Sequence, residues 1–434
     1  MSEVPRYCII GAGAAGLAAV KTLRDLGIEA EVFEKSDHVG GHWHHDYDAL
    51  HLITPKNSSC FDGYPMPESY PLYPSRDQVR HYIDSYADHF GLRQHITFNA
   101  PVERLTPLGA QAEEGWEVTV NQQTRRYQGV LVANGHLWDP ALPPEAERFS
   151  GISLHSCQYR NPGQLQGKVL VVGCGNSGCD LAVDAAQHRF ETDVVIRRGQ
   201  VFQPKALFGL PRAELPFLNQ LPPELQNAMT QMLIMASLGN WKNYPGMPEP
   251  ESWDLEKQPP VVNNLLLYWI QHGRIRVRPG ILAIEGKRVT FSDGTCADYD
   301  SILWATGFHT RLPFLEASLL SWQQGVPLRT AAMTLPTTLE NLYFVGLAAP
   351  RGPQWPVYCQ QTRLIARLIQ LQEGGITHLA GLLAGQQPHD ARIDIVRRLW
   401  QQDYDDTWRT LDLLEKVHPQ RRATPSLSTT ARIL

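Results

Sequence analysis

A loop of the form G-x-G-x-x-G occurs twice in this 434-residue chain, each time between an apolar strand-like run and a helical pattern. The first, Gly11-Ala12-Gly13-Ala14-Ala15-Gly16, follows Tyr7–Ile10 and precedes Leu17, Val20, Leu23 and Leu26, spaced by three. The second, Gly173-Cys174-Gly175-Asn176-Ser177-Gly178, follows Lys168–Val172 and precedes Leu181, Ala182, Val183, Ala185 and Ala186. The first glycine of such a loop permits the tight turn, the second lets backbone approach a pyrophosphate, and the third lets the helix pack on the strand. Unpaired N–H groups at the helix start then face the phosphates. The second strand of the first unit, Ala30–Phe33, ends at Glu34, 18 residues beyond Gly16 and just before Lys35. A carboxylate there accepts hydrogen bonds from a ribose. The corresponding strand of the second unit, Asp193–Ile196, ends at Arg197 and Arg198. Guanidinium groups there bind a 2′-phosphate in a fork. The first loop thus reads as a site for an unphosphorylated ribose, FAD or NAD, and the second as a site for NADPH.

Composition narrows the field. Lys plus Arg number 39 and Asp plus Glu 44, a net charge of −5, so no basic face for nucleic acid is expected. No apolar run approaches the roughly 20 residues of a membrane span. The seven cysteines, Cys8, Cys60, Cys157, Cys174, Cys179, Cys296 and Cys359, are scattered and contain no C-x-x-C. A disulfide scaffold, a zinc site and a dithiol centre are therefore not expected, and a reduced, cytoplasmic setting fits. Cys174 and Cys179 read as small packing residues. His42, His44, His45 and His51 cluster near Trp43 without the spacing of a metal site, so no metal is expected.

Between the loops, Phe149-Ser150-Gly151-Ile152-Ser153-Leu154-His155-Ser156-Cys157-Gln158-Tyr159 has the form F-x-G-x-x-x-H-x-x-x-Y. This resembles the identifying motif of the class B flavin monooxygenases, which comprise the flavin-containing monooxygenases (N- and S-oxygenases) and their Baeyer–Villiger relatives. Tyr159 leans toward the first group. Gly40-Gly41-His42-Trp43, Val130–Gly135, Trp304-Ala305-Thr306-Gly307-Phe308, Leu342–Gly346 and Gln361-Thr362-Arg363 resemble further family elements in the family's order. Tyr244-Pro245-Gly246, Val261-Val262-Asn263, Gly273–Val277 and Leu50-His51-Leu52 before Pro55-Lys56 resemble the plant indole-pyruvate monooxygenases and similar bacterial enzymes. One departure stands out: many of these enzymes place Asn three residues before this lysine, where this chain has Ile53, and the nearest Asn is Asn57.

The resemblance implies an α/β fold of two Rossmann-like, three-layer dinucleotide-binding domains, with the NADPH domain inserted into the FAD domain. The FAD domain is expected at 1–155 and 312–434 and the NADPH domain at 156–311, with hinge crossings near His155 and Thr306. A lid-like insert is expected at about 200–260, including the amphipathic stretch Leu225–Leu238. FAD would be held by Gly11, Gly13, Ala14, Ala15, Gly16, Glu34, Lys35, Gly41, His42, Trp43, Val102, Ala133, Gly135 and Gln361. Gly173, Gly175, Asn176, Ser177, Gly178, Arg197, Arg198, Thr306 and Gly307 would serve NADPH or the domain interface. The implied activity is NADPH- and O2-dependent oxygenation of a small soft nucleophile, sulfide sulfur or amine nitrogen, through a C4a-(hydro)peroxyflavin. The cofactor carries that chemistry, so no side-chain nucleophile is required, and His51, Asn57 and His155 are the candidates for a catalytic role. Baeyer–Villiger insertion, oxidative decarboxylation of a 2-oxo acid, and a flavin reductase or electron-transfer protein remain the alternatives. The expected partners are a small-molecule substrate and O2, with a homo-oligomer left open.

Overall fold

The computed structural model describes residues 6–211, 214, 215, 218, 220–386 and 390–417. Tyr7–Ile10 is buried at every position and forms the middle of a five-stranded parallel sheet. Across that sheet the order is Leu342–Phe344, Gly129–Val132, Tyr7–Ile10, Ala30–Phe33, Ile96–Thr97. Such unbroken apolar strands are what a parallel sheet covered on both faces requires. Helices Ala14–Asp25 and Trp355–Glu373 pack together on one face. The other face carries an antiparallel meander, Val102–Leu108, Gly115–Val120 and Gln123–Tyr127. Its Leu105, Trp116, Val118 and Tyr127 share a core with Cys8, Ile10, Val130 and Val132.

A second five-stranded parallel sheet repeats the plan in the order Ile275–Arg278, Glu191–Val195, Lys168–Val172, Ser301–Trp304, Ile152–His155. Helices Asn176–Gln187 and Leu265–Gln271 cover one face. A second meander, Ile281–Glu285, Arg288–Phe291 and Cys296–Asp298, covers the other, setting Ile284, Val289 and Phe291 against Leu170, Ile302 and Trp304. Both units are three-layered α/β structures in which one outer layer is a meander. Asp193 points from this sheet toward the meander. It accepts hydrogen bonds from Tyr299 Oη at 2.6 Å, Arg278 Nε at 2.8 Å and Arg276 Nε at 2.9 Å.

Ile152–His155 pairs in parallel with Ser301–Trp304. That ladder satisfies the strand's backbone groups within the second sheet. The two passages between sheets run side by side, with Asp139–Pro140 antiparallel to Phe308–His309. Ala141 N–H donates to the Gly307 carbonyl at 3.0 Å, and Thr306 Oγ1 to the Ala141 carbonyl at 2.7 Å.

In the 200–260 stretch, helix Pro223–Leu238 turns Leu225, Met232 and Met235 outward. Met229 and Leu233 pack inward beside Leu207, Leu215 and Leu218. Among the described residues no helix is long and apolar enough to cross a membrane, and no cluster of side chains is arranged to hold a metal ion. All seven cysteines are free, and Cys174 and Cys179 are buried with their sulfurs 3.8 Å apart.

Candidate functional site

The two glycine loops divide the same tasks among corresponding residues. Gly11 has φ +100° and Gly173 φ +114°, conformations that L side chains rarely adopt. A Cβ on Gly11 would lie 2.7 Å from the Ala133 carbonyl oxygen, and one on Gly173 2.4 Å from that of Ala305. These glycines allow each turn to pass under the neighbouring strand's end. Gly16 and Gly178 press against the carbonyls of Gly11 and Gly173. The middle glycines face space instead: a Cβ on Gly175 would touch nothing within 4 Å, and one on Gly13 only the Gly41 Cα at 3.9 Å. Each loop therefore presents bare backbone at a helix N-terminus, the cradle that a pyrophosphate needs. Both cradles fit a dinucleotide.

Around the first cradle, Glu34 is buried at its strand end. Its Oε2 accepts Ala12 N–H at 2.7 Å, and its Oε1 accepts Ser36 N–H at 2.9 Å and Ser36 Oγ at 2.8 Å. Its carboxylate thus ties the loop to the strand end where a ribose would lie. Lys35 is exposed over the Trp138 ring. Gly41 backs onto Gly13, and Gly40 N–H donates to the Ala12 carbonyl at 3.0 Å. Ala14 and Ala15 open the helix, and Ala15 touches Gly346. His42 Nδ1 lies 2.5 Å from Asp46 Oδ2. Burial would lower the His42 pKa, but the Asp46 carboxylate holds it above the ordinary value. His136, beside the Gly346 carbonyl, is pushed down to about 4 by burial and by His42. Trp43 faces Trp355 at a ring distance of 6.2 Å.

Ala133 and Gly135 follow strand Gly129–Val132 beside this loop, and Val102 begins the meander. Gln361 is fully buried, with Oε1 accepting Gly346 N–H at 2.9 Å and Nε2 donating to the Ala348 carbonyl at 3.5 Å. Its amide holds the 346–348 turn. Behind that turn lies a residue the sequence reading passed over. Arg329 is wholly buried, and its guanidinium donates to the carbonyls of Pro327, Leu347 and Arg392.

Around the second cradle, Arg197 and Arg198 are exposed at the strand end. Among the described residues neither guanidinium has a hydrogen-bond or ion-pair partner, so both forks are free for a phosphate. Asn176 Oδ1 accepts Val262 N–H at 2.9 Å and so fixes the loop's flank.

The three candidates for catalysis are dispersed. His155 is buried at the end of strand Ile152–His155, edge-on to Phe308, with Nε2 unpartnered. Burial lowers its pKa. His51 is exposed, with Nδ1 2.9 Å from the Ala49 carbonyl. Asn57 is exposed and makes no side-chain hydrogen bond among the described residues, and Ile53 is partly buried.

Between the cradles lies a cluster absent from the sequence reading. Tyr47 is 4% exposed, within the core of the second unit. Its hydroxyl donates to Asp180 Oδ2 at 3.0 Å. Asn263 Nδ2 donates to Asp180 Oδ1 at 2.9 Å. Burial raises the Asp180 pKa, opposed by Lys205, Tyr47 and Asn263. Lys205 Nζ donates to the Leu52 carbonyl at 3.4 Å, and Tyr73 Oη to the Lys205 carbonyl at 2.8 Å. The only signal in the sequence was an acid on the second turn of a helix that must also receive a phosphate.

Two dinucleotide cradles on linked three-layer α/β units, joined by a paired crossing, define a two-nucleotide oxidoreductase scaffold. Residues 5–380 match the model of the flavin-binding monooxygenase-like family. The chain is 30% identical over 394 residues to rabbit (Oryctolagus cuniculus) dimethylaniline monooxygenase [N-oxide-forming] 2, covering 84% of this chain and 73% of that one. It is 32% identical over 322 residues to rice (Oryza sativa subsp. japonica) indole-3-pyruvate monooxygenase YUCCA1, covering 71% and 78%. In fold it matches a flavin-containing monooxygenase from Stenotrophomonas maltophilia with TM-score 0.62 and 21% identity, over 85% and 97% of the two chains. The chain belongs to the flavin-binding monooxygenase-like family. It is an NADPH-dependent flavin monooxygenase, with FAD and NADPH as cofactors.

Proposed function

We propose that this protein oxygenates a small soft nucleophile, a sulfide sulfur or an amine nitrogen, with FAD bound at the first cradle and NADPH at the second. In this reading residues 1–155 and 312–434 form the FAD domain and 156–311 the NADPH domain. The observation that carries it is the short bridge between the cradles. Gly41 lies against the first loop, and Tyr47, six residues on, is hydrogen-bonded to Asp180 on the helix that opens from the second. Two nucleotides held that way would lie at the two ends of that bridge. The name of the N-oxide-forming relative supports the choice of a soft nucleophile.

When bound, the flavin supplies oxygen activation, drawing its electrons from NADPH. The chain's residues supply placement and exclusion of water. Gly13, Gly41 and the N–H groups of Ala14 and Ala15 would hold the flavin pyrophosphate, with Glu34 receiving the ribose hydroxyls. Arg197 and Arg198 would take the 2′-phosphate. Trp43, Trp355, Phe61 and Tyr82 form an aromatic wall behind the first cradle. His155 Nε2, buried and unpartnered at the crossing, would donate to or accept from the bound nicotinamide nucleotide. Helix Pro223–Leu238 would serve as a lid.

The test is anaerobic reduction with NADPH followed by air, in the presence of a sulfide, an amine, a cyclic ketone and an aryl pyruvate, with product and hydrogen peroxide measured. Sulfoxide or N-oxide is expected. Lactone or decarboxylated acid as the main product would install the alternative oxygenase readings. Electron delivery to a partner protein without oxygenated product would install the reductase.

A further inference from the structure

We propose that Asp180 is a positioning residue for hydride delivery, clamping Tyr47 of the first unit to the helix of the NADPH loop and so setting the spacing of the two cradles. The location calls for an explanation. Asp180 is the fifth residue of helix Asn176–Gln187, whose N-terminus faces the second cradle. A carboxylate there stands beyond the first turn, where the positive helix end acts on charge, and so does not serve that end. Binding of the nucleotide alone gives no reason for an acid at this position.

Its contacts supply the reason. Oδ2 accepts from Tyr47 and Oδ1 from Asn263, so each oxygen holds a different part of the molecule. Asn263, 5% exposed, also accepts Leu266 N–H at 3.0 Å through Oδ1, which locks its amide to point Nδ2 at Asp180. The carboxylate is therefore fixed from the second unit and reaches across to the first. On the other side Tyr47 belongs to a segment that continues through Leu52 and Ile53. The same segment is docked by Asp48 N–H on the Arg160 carbonyl at 2.8 Å and by Asn161 Nδ2 on Asp48 Oδ2 at 3.0 Å. Arg160 and Asn161 hold the periphery, while Asp180 holds the end nearest the second loop. Lys205, anchored on Leu52 and Tyr73, balances its charge. Hydride transfer depends steeply on approach, and a displacement of about 1 Å costs about a hundredfold in rate.

The proposal rests on the assignment of the second loop to NADPH, and stopped-flow reduction of the FAD-loaded enzyme separates the two. The limiting reduction rate and the apparent Kd for NADPH are measured for wild type, Asp180→Ala, Tyr47→Phe and the double variant, with flavin content and melting temperature checked. The expected result is a rate about ten- to a hundredfold lower in Asp180→Ala, with Kd changed less than about threefold. Tyr47→Phe, which removes one oxygen from the clamp, should lose rate in the same sense, and the double variant should be no slower than Asp180→Ala. A raised Kd with unchanged rate would make Asp180 a nucleotide-binding residue and overturn the clamp. Multiplying effects of the two single changes would overturn it too, because the two residues would then act independently. A wild-type enzyme whose flavin NADPH does not reduce would remove the cofactor assignment and the clamp with it.

Discussion

Gly178 stands so close to Gly173 that a Cβ on it would lie 2.1 Å from the Gly173 carbonyl oxygen, and Gly16 repeats the contact on Gly11 at 1.9 Å. The atom met is backbone, so no side-chain rotation relieves the clash. Gly178→Ala should open the second loop and abolish flavin reduction by NADPH while the protein stays yellow. Gly16→Ala should instead lose the flavin. Overpacking of this kind costs about 1–3 kcal/mol or more, visible as a lower melting temperature. Gly13→Asp differs, because Gly13 faces open space: the apo fold should melt as wild type, but the carboxylate repels the pyrophosphate and flavin is lost. Flavin absorbance after desalting together with the melting temperature distinguishes all three, and a full flavin complement in Gly13→Asp would remove the first loop from the FAD site.

Arg197 and Arg198 should carry a preference for NADPH over NADH. Both are exposed at the strand end and have no hydrogen-bond or ion-pair partner among the described residues. A charge-assisted contact is worth about 1.5–3 kcal/mol, or roughly ten- to a hundredfold in kcat/KM. Substitution by Ala should lower kcat/KM for NADPH by that factor in one of the two, with a smaller loss in the other, and leave NADH nearly unchanged in both. Equal losses for the two nucleotides would tie the arginines to something other than the 2′-phosphate.

Asp403 gives a pH signature. Its carboxylate accepts Ala332 N–H at 3.0 Å, in a turn where Ala331, Ala332 and Met333 all have φ between +52° and +65°. Burial raises its pKa to about 6, against about 3.9 in an unfolded chain. The folded state therefore binds the proton more tightly, and stability should fall as pH rises from about 4 to about 6. Asp403→Asn keeps an acceptor for Ala332 and should flatten that slope and melt higher at pH 7. Urea melts across this window check it, and an unaltered slope in the variant would exclude Asp403 as its source.

Arg329→Met should be severe. Two buried carbonyls, those of Pro327 and Leu347, and the partly buried one of Arg392 would lose their donor, at about 1–3 kcal/mol for a buried group left unsatisfied. One of them, Leu347, belongs to the turn that Gln361 holds beside the first cradle. The expected outcome is a large fall in melting temperature together with weaker flavin retention. A variant of normal stability and normal flavin content would mean the turn does not depend on this cation.

What could be read in the sequence was local. Glycines spaced over six residues, Glu34 at one strand end and Arg197 with Arg198 at the other each take their place within one strand, loop or helix. The paired sheets follow from two such units. Contacts that depend on tertiary placement left no comparable mark. Tyr47 and Asp180 are 133 positions apart, and Tyr47 lies in a polar stretch with no periodicity. The meander strand Gln123–Tyr127 is nearly all exposed and polar, so it gave no alternation from which to infer a layer. Ile152–His155 was assigned by its place in a motif, whereas its partner strand lies almost 150 residues on. Asn57 was noted for its nearness to Ile53 in the chain, yet its side chain projects away into solvent.

The crossing ribbon makes the second unit a cassette. Where Asp139–Pro140 lies alongside Phe308–His309, the chain leaves and re-enters the first unit at neighbouring points. Ala141 and Gly307 are already joined by a backbone hydrogen bond. The first sheet takes its fifth strand from after the insertion, Leu342–Phe344, and the second takes its own from before its glycine loop, Ile152–His155. Each sheet is complete without borrowing a strand from the other. Closing the gap with a tight turn would carry little loop-closure entropy, so the first unit could be made alone. A foreign nucleotide unit could equally be spliced at the same two points, exchanging the electron donor without recutting the flavin's host.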